Sequence, residues 1–143
     1  MRFSRLFVVL IISLCFLNVW TQSSVIEIKE SNNKFQFYKN GKPYYIKGAG
    51  AKSNFKKIVE SGGNSIRLWS TNKSSLLDSA QKYGLSVCQG IWIAQERNGF
   101  DYNDDYNVKG QIELIKKEIL RLKDHPSIIL WGIGNEVDLK YSN

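Results

Sequence analysis

The fold of this chain is decided by one stretch, IILWGIGNE at positions 128–136. Its apolar run is short and rich in β-branched side chains, which is typical of a strand buried on both faces in a parallel sheet. Gly132 and Gly134 then interrupt the side chains, and the stretch ends at Asn135 and Glu136. Ligands of helix-covered sheets bind at the carboxyl ends of the strands, so this amide and this carboxylate are candidate functional residues. The alternative is that the pair caps a following helix.

Strand patterns alternate with helix patterns upstream of this stretch. Strands are predicted at residues 64–69 and 85–92, and helices at 55–59, 74–83 and 108–122, where apolar residues recur three and four apart. This alternation implies a parallel sheet, either an open doubly wound sheet or a (β/α)8 barrel. No glycine-rich phosphate loop follows any strand, which removes the usual reason to choose a nucleotide-binding sheet.

Residues 23–47 precede this pattern and are predicted to form an antiparallel hairpin and the first strand of the larger sheet. Apolar and polar residues alternate at 25–28 and 35–38, and Asn40-Gly41 is a turn signal. Residues 48–143 are assigned to the larger α/β unit.

The first 22 residues have the composition of a secretory signal peptide. Two arginines precede an apolar block at residues 6–17, and residues 18–24 are polar. A membrane anchor is the competing interpretation, but the block is shorter than the roughly 20 residues that span a bilayer. A lipid anchor at Cys15 is disfavoured by the bulky Leu14 before it. The protein is therefore expected to be secreted, in the periplasm or outside the cell, with no stable membrane insertion after cleavage.

Charge and cysteine content restrict the remaining classes of function. Without the leader the net charge falls from +7 to about +5, and the lysines are dispersed among apolar and acidic neighbours. This pattern favours a solvated basic surface over nucleic-acid binding. Cys88 is the one cysteine after the leader, so it cannot form an internal disulfide. It is predicted to be a small buried hydrophobe.

Arginine and tryptophan also lie near the predicted strand ends. Alternation places Arg67 and Trp69 on the face of their strand opposite to Ile66 and Leu68. A guanidinium on that face requires a carboxylate or a polar ligand, unless it reaches solvent at the strand end. Trp69 and Trp92 each end a strand. An indole there can stack on a sugar ring, although core packing is the usual role of tryptophan.

Asn135 and Glu136 would face opposite ways on a regular pleat. The glycines before them permit a bulge or bend that brings both side chains to one site. A half-buried carboxylic acid at that position could donate a proton near neutral pH, while the neighbouring amide holds a substrate hydroxyl.

Three motifs resemble the TIM-barrel domain of family 2 glycoside hydrolases: NSIRLW at 64–69, GIW at 90–92 and DHPSIILWGIGNE at 124–136. They are more distantly similar to the family 5 and fungal β-1,3-glucanosyltransferase barrels. The resemblance covers about residues 35–140 and combines an arginine near the end of one strand with a Gly-Asn-Glu ending on another.

The resemblance implies a role for each strand-end residue. Glu136 is then the general acid/base, Asn135 binds the sugar 2-hydroxyl and Arg67 orients the nucleophile, while Trp69 and Trp92 shape the sugar subsites. A retaining double displacement is implied, with two carboxyl groups roughly 5–5.5 Å apart. The expected partner is a poly- or oligosaccharide, and no metal or organic cofactor is required.

The nucleophilic glutamate belongs to the seventh strand of such barrels, whereas these 143 residues reach just past the fourth. A full barrel takes roughly 250 residues. The expected fold class is α/β, the N-terminal half of a (β/α)8 TIM barrel preceded by a small β-hairpin and a signal peptide. The expected function is hydrolysis or transfer at O-glycosyl bonds, with this chain a truncated fragment that lacks the nucleophile. The alternative is a carbohydrate-binding or catalytically defunct barrel fragment.

Overall fold

The computed structural model of the chain describes residues 23–137, so the predicted signal peptide at 1–22 lies outside the described residues. Among the described helices, none combines the length and the apolar character that a membrane span requires. The elements are, in chain order, β1 Ile26–Ser31, β2 Lys34–Lys39, β3 Lys42–Pro43, β4 Gly48–Gly50, α1 Phe55–Glu60, β5 Ser65–Leu68, α2 Ser75–Lys82, β6 Ser86–Ile91, a short 3-10 helix Glu96–Asn98, α3 Asp105–Leu122 and β7 Ile128–Ile133.

The first three strands form an antiparallel sheet in the order β1-β2-β3. Its two turns, Asn32-Asn33 and Asn40-Gly41, have positive φ at all four residues. Asn and Gly adopt this left-handed conformation at the least cost, and two such residues in succession suit a tight hairpin. The turn predicted at Asn40-Gly41 is thus present, and the Asn pair adds a second one.

The remaining strands form a parallel sheet in the order β4-β5-β6-β7, with helices in the connections between them. This sheet begins at β4, which pairs with β5. The sequence predicts its first strand within residues 23–47, whereas the strand in the structure begins at Gly48. Tyr45 and Ile46, whose apolar side chains suggest a strand, instead belong to the exposed connection that leads into β4.

The core lies between the parallel sheet and its helices. Ile66 and Leu68 of β5 are 1% and 2% exposed, as the alternation in that strand predicts. They pack with Leu77 of α2 and Leu122 of α3, which belong to the same buried cluster. Because these apolar side chains lie on the helix side, Arg67 is left on the other face of the sheet.

The antiparallel sheet joins the parallel sheet at the amino ends of its strands. The hydroxyl of Tyr44 lies 3.0 Å from Oγ of both Ser65 and Ser86, the first residues of β5 and β6. Nζ of Lys39 donates to Ser86 Oγ at 2.7 Å, and burial lowers the pKa of this lysine. The amino ends are therefore occupied by the hairpin, and the carboxyl ends are where a ligand site is to be sought.

Helix α3 begins three residues before the predicted start at 108. Asp104 is the reason, because its Oδ1 accepts hydrogen bonds from the backbone N–H groups of Tyr106 at 3.0 Å and Asn107 at 3.2 Å. This satisfies two donors that a helix start otherwise leaves unpaired.

Candidate functional site

The chain bends sharply after β7. Gly134 has φ of +77° and donates its backbone N–H to Ile91 O at 2.9 Å, which is the last contact with β6 before the bend. Glu136 has φ of +50°, in the left-handed region that side chains other than glycine rarely adopt. Asn135 and Glu136 therefore leave the regular pleat at the glycine where the sequence predicts a bend.

Arg67 and Asn135 meet at the carboxyl ends of β5 and β7. Nη2 of Arg67 donates to Oδ1 of Asn135 at 3.1 Å, although 68 residues separate the two. Because Oδ1 accepts this bond, the amide presents Nδ2 as its donor to a ligand. Cys88 of β6 pairs in register with Arg67 and with Leu130, so the site spans three neighbouring strands.

Trp69 completes this cluster. The guanidinium carbon of Arg67 lies 5.5 Å from the centroid of the Trp69 ring, a cation–π arrangement. The same ring packs so closely over Gly50 that a Cβ at that position would clash with its outer edge. The absent side chain at Gly50 therefore makes room for the indole beside Arg67.

Glu136 is more exposed than the sequence predicts. Its side chain retains 61% of its accessible surface, whereas a half-buried carboxyl group is expected there. Its Oε2 lies 3.6 Å from Nη2 of Arg97, and its backbone carbonyl accepts from Nη1 of Arg97 at 2.6 Å. The bend carries the carboxyl group outward, so the described residues leave it at the surface beside one guanidinium.

Trp92 follows β6 and is 54% exposed. It lines a groove of about 1170 Å³ together with Phe100, Tyr106 and Leu114. Arg67 instead lines a smaller pocket of about 170 Å³. The structure thus brings Arg67, Trp69 and Asn135 into one cluster, and Trp92 belongs to a neighbouring groove at the end of β6.

Cys88 faces the same pocket as Arg67. Burial raises the pKa of the Cys88 thiol, and the positive charge of Arg67 opposes part of that rise. A thiol with a raised pKa is a poor nucleophile, but Cys88 is half-buried rather than buried as the sequence predicts, because its side chain opens onto this pocket.

Gln95 and Arg97 also contact the site, but no pattern in the sequence indicates that they do. Both lie in the connection between β6 and α3, which has no periodic pattern and reads as a polar loop. Gln95 is only 2% exposed, and its Nε2 donates to the backbone carbonyl of Asn135 at 2.6 Å. Nothing in the sequence distinguishes this glutamine from a solvated one, because the partner is a carbonyl 40 residues away.

Comparison with known proteins gives a family match and relatives in sequence. The family described as "Glycosyl hydrolases family 2, TIM barrel domain" matches residues 64–142. An exo-β-D-glucosaminidase of Arthroderma benhamiae is 26% identical over 125 residues, 71% of this chain. A β-galactosidase of Staphylococcus xylosus is 30% identical over 139 residues, 77% of this chain. This chain spans 14% of the length of each relative.

Solved structures share the fold. A β-glucuronidase from Ruminococcus gnavus matches 76% of this chain and 21% of its own, with a TM-score of 0.57 and 17% identity. A β-galacturonidase from Eisenbergiella tayi matches 80% of this chain and 22% of its own, with a TM-score of 0.56 and 24% identity. These matches confirm the predicted α/β barrel class.

Proposed function

Because the chain belongs to the family 2 glycoside hydrolases, we propose that residues 48–143 provide the acid/base side of a retaining glycosidase site. The observation that carries this proposal is the hydrogen bond between Arg67 and Asn135 at 3.1 Å, with the Trp69 ring within cation–π range of the guanidinium. It joins the three side chains Arg67, Trp69 and Asn135 at the carboxyl ends of parallel strands, where barrel enzymes bind substrate. The relatives act on glucosaminides and galactosides by name, so the proposed substrate is an O-glycoside of a poly- or oligosaccharide.

In the first step, the Glu136 carboxylic acid donates its proton to the glycosidic oxygen as the bond to the anomeric carbon breaks. A carboxylate on the seventh strand attacks that carbon from the opposite face and forms a glycosyl ester. In the second step, the Glu136 carboxylate removes a proton from water, whose oxygen attacks the anomeric carbon and releases the nucleophile. An acceptor sugar in place of water would give transglycosylation.

Asn135 and Arg67 act on the substrate and on the nucleophile, respectively. With its Oδ1 held by Arg67, Asn135 offers Nδ2 to the oxygen of the sugar 2-hydroxyl. Hydrogen bonds to this hydroxyl strengthen in the oxocarbenium-like transition state. Arg67 has five N–H donors in a planar fork, so the guanidinium can hold the seventh-strand carboxylate as well as Asn135.

The two tryptophans are proposed to form sugar subsites. Trp69 lies within the Arg67 cluster and would stack on the sugar that is cleaved. Trp92 lines the neighbouring groove with Tyr106 and would contact a sugar further along the chain.

A second candidate is a carbohydrate-binding protein without turnover. The outward position of Glu136 favours it, since its carboxyl group pairs with Arg97 rather than with Arg67 or Asn135. Binding needs only the cluster of Arg67, Trp69 and Asn135.

The test joins this chain to the later strands of a family 2 barrel, taken from the Staphylococcus xylosus relative, with cooperative unfolding as the criterion of a folded fusion. The value of kcat/KM is measured for aryl glycosides that differ in leaving-group acidity. Glu136→Gln is expected to lower it by about 10²–10⁴-fold for poor leaving groups. The loss should be much smaller for dinitrophenyl glycosides, whose phenolate leaves without a proton.

Glu60→Gln is the matched control, because Glu60 is similarly exposed and similarly paired. Its carboxylate lies 3.6 Å from Lys56 Nζ and its side chain is 59% exposed. An equal loss for all leaving groups in Glu136→Gln would refute the acid/base assignment. Saturable sugar binding without any cleavage would favour the second candidate.

A further inference from the structure

The loop after β6 makes two close contacts with the backbone that carries the proposed acid/base. Gln95 Nε2 donates to Asn135 O at 2.6 Å, and Arg97 Nη1 donates to Glu136 O at 2.6 Å. These carbonyls belong to consecutive residues, so two successive peptide groups are held from one side. Each bond joins segments about 40 residues apart.

Gln95 is a buried residue whose side-chain amide is hydrogen-bonded at both ends. It is 2% exposed, and Asn98 Nδ2 donates to its Oε1 at 2.9 Å. The backbone N–H of Asn98 also donates to Gln95 O at 2.9 Å. A buried amide with both ends hydrogen-bonded has a fixed orientation, so its Nε2 remains directed at Asn135 O.

Arg97 adds a second contact of a different kind. Its side chain is 24% exposed, against 61% for Glu136, and its Nη2 lies 3.6 Å from Glu136 Oε2. One guanidinium therefore reaches both the backbone carbonyl and the carboxylate of the same residue. A planar fork of donors can do this, whereas an ammonium group offers a single point of charge.

The backbone of Glu136 needs such support. Its φ of +50° is disfavoured for a residue with a side chain, because Cβ approaches the carbonyl oxygen. A residue in this region persists where surrounding contacts enforce it, and this occurs most often at functional sites. Among the described residues, the side-chain hydrogen bonds to the carbonyl groups of Asn135 and Glu136 come from Gln95 and Arg97.

We propose that Gln95 and Arg97 are positioning residues that hold the left-handed turn at Glu136 and thereby fix where its carboxyl group lies at the carboxyl end of β7. The catalytic part of this inference rests on the proposed function; the structural part does not. A general acid must lie within hydrogen-bond reach of the oxygen that it protonates, so a turn that relaxes would remove the proton donor without removing the carboxyl group.

The structural test measures the backbone of Glu136 by NMR in the full 143-residue chain. A left-handed residue shows a stronger intraresidue HN–Hα nuclear Overhauser effect than residues with negative φ. Gln95→Met removes the amide that bonds Asn135 O, and Arg97→Met removes the guanidinium that contacts both Glu136 O and Glu136 Oε2; each keeps an unbranched side chain. Each is expected to lower the ratio of left-handed to right-handed Glu136 by about tenfold, the order of the effect of one lost hydrogen bond.

Two further variants serve as controls. One tests whether the charge of Arg97 is sufficient, and the other tests for an effect of general destabilisation. Arg97→Lys keeps the charge and one donor direction, so it should recover part of the left-handed signal. Arg121→Met is the matched control, because Arg121 also donates to a backbone carbonyl, Thr71 O at 3.1 Å, and also pairs with a carboxylate, Glu118. It should leave the Glu136 signal unchanged. If Gln95→Met does not fold, the test rests on the Arg97 variants, because Arg97 is more exposed and its substitution is less disruptive.

The catalytic test uses the fusion with the Staphylococcus xylosus strands. Arg97→Met is expected to lower kcat/KM for poor leaving groups more than for dinitrophenyl glycosides, because kcat/KM reports the first step, in which the leaving-group oxygen is protonated. A purely structural role would lower kcat/KM for both alike. An unchanged Glu136 signal in folded Gln95→Met and Arg97→Met would overturn the inference. If those variants release the turn but Glu136→Gln does not alter leaving-group dependence, the proposed function fails and the positioning contacts remain.

Discussion

Asn135 has two chemically different ends, and its contact with Arg67 decides which end faces a ligand. Since Oδ1 accepts from Arg67 at 3.1 Å, Asn135 offers its Nδ2 donor to a ligand. An aspartate at this position would keep the contact with Arg67, now as an ion pair, and would lose the donor.

We therefore expect Asn135→Asp to discriminate between sugars. In the fusion enzyme it should lower kcat/KM for substrates that carry a 2-hydroxyl by about tenfold to a hundredfold, the effect of one unmade hydrogen bond. For 2-deoxy substrates the loss should be much smaller. Parallel kinetics on the two substrate series measure the difference, and equal losses would show that Asn135 does not contact this hydroxyl.

Gly90 lies where the backbone of β6 meets the end of β5. A Cβ at Gly90 would lie 2.7 Å from Trp69 Cα and would also clash with the carbonyl oxygen of Leu68. Both are backbone atoms, so neither can move without shifting the strand that carries Arg67.

Gly90→Ala is accordingly expected to lower the free energy of unfolding by about 1–3 kcal/mol or more, through overpacking. Gly110→Ala is the control: Gly110 lies within α3, a Cβ there would meet no atom within 4 Å, and the change should raise stability by about 1 kcal/mol. Urea unfolding of both variants measures the change in the free energy of unfolding. Similar effects in the two would contradict the close approach at Gly90.

At the scale of elements, Arg121 links α3 to the connection that follows β5. Arg121 Nη2 donates to Thr71 O at 3.1 Å and Arg121 also pairs with Glu118. The hydrogen bond from Arg121, followed by one with Thr71, lowers the pKa of the Glu118 carboxyl group. Because this pKa is lower in the folded than in the unfolded chain, Glu118 stabilises the fold at pH values above the unfolded pKa. That contribution is lost as pH falls through the folded pKa.

Glu118→Gln should therefore lower the free energy of unfolding slightly at neutral pH, and by less as the pH falls below about 4, the ordinary carboxyl range. Urea midpoints across this pH range measure the effect. Glu60→Gln on α1 provides the comparison, since Glu60 pairs only with exposed Lys56 among the residues that the structure describes. If the difference in the free energy of unfolding between wild type and Glu118→Gln grows towards acidic pH, the prediction is wrong.

At the scale of the whole molecule, the parallel sheet has two outer strands, β4 and β7, each paired on one side within residues 23–137. The cluster of Arg67, Trp69 and Asn135 lies on the face that would line a barrel. By the proposed mechanism the attacking carboxylate comes from the seventh strand of the barrel, beyond the four parallel strands β4 to β7.

The 143-residue chain by itself is therefore expected to cleave no aryl glycoside at a measurable rate. In the proposed mechanism the glycosyl ester forms on a carboxylate of the seventh strand, which is not among the four parallel strands β4 to β7. Release of nitrophenol from nitrophenyl glycosides is the measurement. Turnover that Glu136→Gln abolishes would contradict the expectation, because it would require the nucleophile to lie within this chain.

The sequence by itself determined the order of strands and helices and the faces of the strands. Ile66 and Leu68 alternate with Arg67, and that period of two is a local property that no distant contact alters. It also identified the bend after β7, because the conformational freedom of Gly134 is intrinsic to glycine. The family resemblance, confirmed by the match over residues 64–142, supplied the roles expected for Arg67, Asn135 and Glu136.

Only the tertiary structure decided which side chains meet. The pairing of Arg67 with Asn135 rather than Glu136, and the contacts of Gln95 and Arg97 with the strand end, join residues about 40 to 68 positions apart. Such contacts depend on strand register and on the course of an irregular loop, and neither has a periodic signature in the sequence. The exposure of Glu136 has the same origin, because it follows from a left-handed turn that neighbouring segments hold in place.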